Sequence, residues 1–306
     1  MEIHHDWRAL PLHVRGATVA LGNFDGVHRG HAHVLSRAHA ARPETTLAVL
    51  TFEPHPRAFF RPDDPPFHLT NSAERAAALA QLGVRHVIEV RFDAAFSALS
   101  ADEFVHRVLH DSVGAVHVAC GADFAFGHRR GGDVGFLAQA VERLGIGLTV
   151  VPALADVQGP ISSTRIRRAL QDGYPERAAD DLGRPWSISG EVMHGDARGR
   201  TIGFPTANIA LGSHLEPARG VYAVTAMLGG ARVAGVANIG RRPTVAEGAV
   251  SRLEAHFFDF AGDLYGQDVA VSLHAFLRSE QKFSGLDALK AQIATDSAQA
   301  RAVLAA

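Results

Sequence analysis

Two histidines three residues apart, His28 and His31, stand in the stretch LGNFDGVHRGHAHVL, between Leu21 and Leu35. An apolar, strand-like run, ATVAL, leads into it, and a helix-like run leaves it. Gly22, Gly26 and Gly30 permit tight turns and close approach of backbone to ligand. The helix is expected to begin between Arg29 and His31. Its first N–H groups are then unpaired and lie at the positive end of its dipole, which makes a ready anion site. Imidazole donors on the same side of the turn favour a phosphate. A zinc reading is weaker, because H-x-x-H lacks the glutamate of the metalloprotease helix and no third ligand stands out. Polar filling of a turn is the remaining alternative.

Four further stretches carry candidate chemistry. ISSTRIRRAL sets Ser162, Ser163 and Thr164 at a helix start, with Arg165, Arg167 and Arg168 in the first turns. Capping explains one hydroxyl; three hydroxyls with three arginines fit a phosphate cradle. GADFAFGHRRGGD follows the run that holds Cys120, and its small residues and two phenylalanines suit a loop over a flat ring. Asp123 there is a hydrogen-bond acceptor or a turn residue. In HGDARGRTIGFPTANI, Gly203, Phe204 and Pro205 force a turn, after which Thr206 and Asn208 point the same way on an extended chain. Such oxygen ligands suit Mg2+; a glycine-rich hairpin connection is the alternative. The run is no Walker A loop, since no G-K-[ST] follows. In RLEAHFFDF, Leu253 and Ala255 turn to the face opposite Glu254, which is either a solvated carboxylate or a general base.

The elements that must position these residues differ between the two halves. From residue 17 to about 172, the runs ATVAL, TTLAVLTF, VRHVIEV, AVHVACG and IGLTVVP are short and nearly all apolar, as buried parallel strands are. Helical stretches lie between them. NSAERAAALAQLG and SADEFVHRVLHDSVG each open with a capping-box pattern, Asn71 with Glu74 and Ser100 with Glu103, and close on a glycine. This alternation predicts a doubly wound parallel α/β sheet, whose ligands sit beyond the carboxyl ends of its strands. After a short connection, DGYPERAADDLGRPW, the runs WSISGEVMHG, GVYAVTAML, ARVAGVANIG, RLEAHFFDF and DVAVSLHAFLR alternate instead. Gly229-Gly230 signals a hairpin between two of them. That half predicts a β-barrel or sandwich with a C-terminal helix. The division is set at 1–183 and 184–306.

Composition bounds the partners. The 306 residues are 47% hydrophobic and 20% charged, with a net charge of −2, so no global basic field attracts nucleic acid. One cysteine forms neither an internal disulfide nor a thiolate zinc cage, and this fits a reducing compartment. No signal-peptide pattern opens the chain, and no apolar run approaches the ~18–20 residues of a membrane span. A soluble cytoplasmic protein is expected.

Taken together and in order, GNFDGVHRGH, TFEPHPRAFF, CGADFAFGHRRGGD and ISSTRIRRAL closely resemble the adenylyltransferase half of the bacterial bifunctional riboflavin kinase/FAD synthetase family. GEVMHGDARGRTIGFPTANI, GVYAV, GVANIGRRPTV, LEAHFFDFAGDLYG and LRSEQKF resemble its riboflavin kinase module, a six-stranded barrel with a terminal helix. The likeness spans roughly residues 15–300; Val245 departs from it where an aromatic is common. The resemblance implies that riboflavin is phosphorylated by ATP to FMN, and FMN adenylylated by ATP to FAD with release of pyrophosphate. It implies that His28 and His31 hold ATP phosphates, with Gly22, Phe24, Asp25 and Gly30 in the same ATP-binding turn. Ser163, Thr164 and Arg167 complete that site, and Asp123 and Phe124 belong to the flavin-side loop. In the kinase module it assigns Gly203, Thr206 and Asn208 to Mg-ATP, with Thr206 and Asn208 toward Mg2+, and Glu254 as catalytic base. The partners implied are riboflavin, FMN and ATP, without nucleic acid or membrane, for a monomer or transient homo-oligomer. The competing readings are an enzyme in which only one half works, a flavin- or nucleotide-binding regulator without turnover, and an RNA-binding protein using RIRR and GHRRGG.

Overall fold

The computed structural model describes residues 1–194, 204–241 and 251–305. The chain divides into two compact units: Met1–Asp64 with Ser72–Ile161, and Pro65–Asn71 with Ser162–Ala306.

The first unit is built on six strands: β1 (Glu2–His4), β2 (Thr18–Leu21), β3 (Leu47–Glu53), β4 (His86–Arg91), β5 (His117–Gly121) and β6 (Gly147–Val151). Their order is β1-β4-β3-β2-β5-β6, and every pairing is parallel. The expected strands are all present. They read as unbroken apolar runs because both faces are covered. Val19, Leu21, Leu50 and Cys120 join the core on one side, while Ala20, Val49, Val87 and Ala119 join the core on the other. The helix Arg29–Ala41 buries Leu35 and Ala38 on that second side. The helical stretch after Ser100 packs Phe104, Val105, Val108 and Leu109 on the first.

The capping box of Ser100 with Glu103 forms as expected, and Gly114 follows with φ 58°. The stretch differs from a plain α-helix, because Phe104–Ser112 is wound as π-helix. A small hairpin, β7 (Ala155–Asp156) with β8 (Gly159–Pro160), follows the sheet. Strand β1 was not expected; it lies on the sheet edge beyond β4.

The winding explains where chemistry can sit. From β2 the chain builds β3 and then β4 to one side, and returns to build β5 and β6 on the other. The carboxyl ends of β2 and β5 therefore flank the point where strand order reverses, which is where open α/β sheets bind ligands. The turns leaving these two strands carry His28 and Asp123.

The second unit contains β9 (Trp186–Glu191), β10 (Ala207–Ala210), β11 (Gly220–Leu228), β12 (Ala231–Arg241), β13 (Ser251–Phe257) and β14 (Asp268–Ser279). They form one antiparallel sheet in the order β10-β13-β12-β11-β14-β9. A bridge from Met193 N to Asn208 O, at 2.9 Å, brings the two ends of this sheet together, so the barrel is nearly closed. Gly229 and Gly230, at φ 57° and 83°, make the tight turn between β11 and β12, where only residues at ease with positive φ fit.

Alternate residues fill the barrel: Tyr222, Val224, Leu253, Ala255, Val271 and Leu273. The terminal helix Leu286–Ala305 is tied to β14 by a two-pronged ion pair. Arg278 Nε lies 3.0 Å from Asp296 Oδ1, and Arg278 Nη2 lies 2.7 Å from Oδ2. The helices Ser163–Gln171 and Pro175–Leu182 belong to this unit. So does the segment Pro65–Asn71, held by Trp186 Nε1 donating to Leu69 O at 2.7 Å.

Candidate active sites

The turn after β2 is wound left-handed three times within four residues, at Phe24 (φ 50°), Gly26 (φ 86°) and Val27 (φ 44°). Glycine adopts this freely; Phe24 and the β-branched Val27 do so at a cost of about 1–3 kcal/mol each, a kind of strain that gathers at ligand sites. Burial holds them there, at 1% and 3% exposure. Asp25 is buried in the same turn. Gly22 leaves room for the Phe24 ring, since a Cβ there would lie 3.2 Å from it.

His28 caps the helix Arg29–Ala41, and the cap is reciprocal. His31 N–H donates to His28 Nδ1, and His28 N–H donates to His31 Nδ1, each at 3.3 Å. A capping box usually pairs Ser or Thr with Glu; here two imidazoles do both jobs. The rings stack with centroids 3.6 Å apart, and Phe24 packs on His31 at 4.9 Å. With each Nδ1 lone pair committed to a backbone N–H, the proton of each neutral ring sits on Nε2. Gly30 makes room for this arrangement. A Cβ there would stand 3.0 Å from the His28 ring and 3.2 Å from Ile161 O. In the same motif, Asn23 Oδ1 is buried with no hydrogen-bond partner among the described residues, an acceptor that sequence reasoning passed over.

The loop after β5 holds an exposed Asp123 and a half-buried Phe124. Phe124 stacks on Phe126, with centroids 5.4 Å apart, and Phe126 packs on Phe104 at 5.2 Å. Burial and the nearby Asp123 push the Cys120 thiol up to about 11, so it is no nucleophile.

Ser162, Ser163, Thr164 and Arg167 lie in the second unit, at the start of the helix Ser163–Gln171. Ser162 takes the capping role, its hydroxyl accepting from Arg165 N at 3.2 Å. The three arginines part company. Arg165 pairs with the buried Asp181 at 2.6 Å, a structural tie. Arg168 is exposed and reaches Asp172 at 3.6 Å. Arg167 donates from Nε to Phe67 O at 2.8 Å, and its guanidinium lies over the Phe67 ring.

In the barrel, strand register sets Glu254 directly opposite Asn208 on one side and Asn238 on the other. Residues so paired share a face, so Glu254 stands in a row of amides. Leu253 and Ala255 are fully buried on the opposite face, as expected. Asn238 Nδ2 reaches Glu280 Oε1 at 3.4 Å, which extends the row into LRSEQKF. Asn238 and Glu280 were not singled out from the sequence; register brings Asn238 to Glu254, and a hydrogen bond links Glu280 to Asn238.

Asn208 Nδ2 contacts Thr206 O and Oγ1 at 3.3 and 3.4 Å, while its Oδ1 is buried without a partner among the described residues. Thr206 and Asn208 are thus brought together. The preceding turn is anchored on β13, where His256 Nδ1 donates to Pro205 O at 2.9 Å and its ring meets Phe204 at 5.2 Å. Gly203 lies outside the described residues.

The FAD synthetase family model matches residues 11–165, and the riboflavin kinase family model matches residues 182–304. A relative from Escherichia coli K12, a bifunctional riboflavin kinase/FMN adenylyltransferase, is 44% identical over 289 residues, covering 94% of this chain and 92% of its own. This chain belongs to the bifunctional riboflavin kinase/FMN adenylyltransferase family.

Members from Pseudomonas fluorescens and Bacillus subtilis, with the same description, are 43% and 38% identical over 95% and 93% of this chain, and over 94% and 91% of their own. A solved structure from Streptococcus pneumoniae, described as a macrolide-efflux protein, aligns with a TM-score of 0.87 at 32% identity over 98% of each chain. No helix among the described residues here is long and apolar enough to cross a membrane. Within the family's two modules, the His28–His31 turn, Asp123, Ser163 and Thr164 fall in the FAD synthetase match. Thr206, Asn208 and Glu254 fall in the riboflavin kinase match, and Arg167 lies two residues past the end of the first.

Proposed function

We infer that this chain makes FMN from riboflavin and ATP, and then FAD and pyrophosphate from FMN and a second ATP. The observation that carries this is the pairing in one chain of an FAD synthetase match over 11–165 with a riboflavin kinase match over 182–304. We propose the functional division at 183/184, next to where the second match begins.

The two reactions ask for different groups. In the first, the 5′-hydroxyl oxygen of riboflavin bonds to the γ-phosphorus of ATP, the bond to the departing ADP breaks, and the hydroxyl proton must go to a base. Glu254, held among Asn208 and Asn238, is that base in our reading. The residues around it also fit Mg2+. The buried, unpartnered Oδ1 of Asn208 and the Thr206 hydroxyl are hard oxygen donors of the type this ion takes. Bound there with Mg-ATP, the ion would supply charge neutralisation to the phosphates. Gly203 is assigned to the same ATP site.

In the second reaction, a phosphate oxygen of FMN attacks the α-phosphorus of ATP and pyrophosphate leaves. A phosphomonoester is largely ionised at pH 7, so no base is needed. What is needed is cancellation of repulsion between two anions, in-line positioning and stabilisation of the leaving group. The Nε2–H donors of His28 and His31 at a helix N-terminus are suited to this, with Gly22, Phe24, Asp25 and Gly30 shaping the turn around ATP. Ser163, Thr164 and Arg167 are assigned phosphate contacts, and Asp123 and Phe124 contacts to the flavin. The enzyme is proposed to be cytoplasmic, in keeping with its single reduced cysteine, and a monomer or transient homo-oligomer.

Incubation of the pure chain with riboflavin, ATP and MgCl2, with products separated by chromatography, should yield FMN and then FAD. Formation of neither would overturn the reading.

A further inference from the structure

Three ligand atoms converge at the edge of the parallel sheet, on residues that neither proposed reaction uses. His4 Nε2 and His86 Nδ1 lie 3.3 Å apart, and each lies 3.6 Å from Glu2 Oε2. The strand pairing creates this meeting. Glu2 stands opposite His86 in the β1–β4 ladder, and His4 is two residues further along β1 on the same face. His13, in the short turn Leu12–Val14, places its Nε2 2.7 Å from Glu2 Oε2. The cluster stands on β1 and β4, with strand β3 between it and β2.

The triangle has the dimensions of a metal site. Ligands bonded to zinc at about 2.0–2.1 Å in a tetrahedron lie about 3.3–3.4 Å from one another. An octahedral Mg2+ at similar bond lengths would bring neighbouring ligands to about 2.9 Å, and it disfavours nitrogen. Two imidazoles and a carboxylate are a common zinc donor set. The two imidazole nitrogens, 3.3 Å apart, either share a hydrogen bond, one ring donating and the other accepting, or turn both lone pairs to one metal ion. The side chains of His4 and His86 are only 11% and 9% exposed, whereas Glu2 is 55% exposed, so the pocket is formed yet open to entry.

We propose that Glu2, His4 and His86 bind one divalent transition-metal ion of the zinc type, with His13 steadying the Glu2 carboxylate. A carboxylate oxygen has two lone pairs, so Oε2 can hold a metal and accept the His13 N–H together. Strand β1 is three residues long and, among the described strands, pairs with β4 alone. A metal there clamps this edge strand to the sheet, and by mass action it stabilises the first unit.

The test is titration of the full chain, purified without a histidine tag and stripped with chelator. ZnCl2 is followed by calorimetry and by melting temperature, and CoCl2 by visible absorption. One equivalent of zinc, a zinc-dependent rise in Tm and the absorption of tetrahedral Co2+ are expected. Glu2→Gln and His4→Gln should abolish all three. His13→Ala should weaken zinc binding about 10- to 100-fold, and the exposed His106→Ala should leave it unchanged. Glu2 is exposed, so Glu2→Gln decides the matter even if His4→Gln fails to fold. Absence of zinc uptake by the unaltered chain, or unchanged uptake in Glu2→Gln, would overturn the proposal and leave a hydrogen-bonded cluster only.

Discussion

A Cβ on Gly30 would stand 3.0 Å from the His28 ring, so close that the ring must give by a few tenths of an ångström. Glycine at this position therefore serves the histidine, and the histidine in turn caps the helix with His31. Gly30→Ala is expected to displace the His28 ring while the barrel is untouched. A misplacement near 1 Å at a reacting centre can cost about 100-fold in rate, and a shift of a few tenths costs less. Conversion of supplied FMN to FAD should fall, by less than about 100-fold, with riboflavin phosphorylation unchanged; steady-state assays of the two steps would show it.

Glu254→Gln should have the reverse effect. It keeps the shape of the side chain in the row between Asn208 and Asn238 and removes the base. Loss of a general base costs about 100- to 10,000-fold. Riboflavin phosphorylation should fall within that range, and FMN supplied directly should still be adenylylated. Equal loss of both activities in a folded variant would contradict the division of labour.

Arg278→Ala leaves the carboxylate of Asp296, only 2% exposed, without its cationic partner. Breaking a buried pair from one side costs about 3–5 kcal/mol. Chemical denaturation should show a loss of that order in the barrel unit, and Asp296→Asn should be the milder change.

Cys120 is fully buried, and its thiol is pushed from 9.0 up to about 11 by burial. At pH 8 the native thiol should resist iodoacetamide and react only on unfolding. The sign of the pH effect follows. The unfolded thiol ionises near 9.0 and the folded one near 11, so this group adds nothing below pH 9 and erodes stability as pH rises from 9 to 11. Cys120→Ala should remove that part of the alkaline loss.

The central strands were legible because β2, β3 and β5 are covered on both faces, which leaves unbroken apolar runs such as ATVAL. The barrel strands were legible from alternation and from Gly229-Gly230. Strand β1 was not, since three residues carry no period and its partner strand β4 begins 82 positions beyond His4. For the same reason the Glu2–His4–His86 cluster has no local spacing to find. The row Asn208–Glu254–Asn238 depends on register, which composition does not encode. The separate fates of Arg165 and Arg167 depend on where Asp181 and Phe67 come to lie. The mutual cap of His28 and His31 was hidden because imidazoles stand where a hydroxyl and a carboxylate are usual.

The most direct measurement is product analysis of the variant carrying both His28→Ala and His31→Ala, given riboflavin, ATP and MgCl2. FMN should accumulate at the rate of the unaltered chain while FAD is absent, with a circular dichroism spectrum of the folded protein. FAD formed at the normal rate, or loss of FMN formation in a variant that remains folded, would contradict the assignment of the histidine turn to adenylyl transfer and of the barrel to phosphorylation.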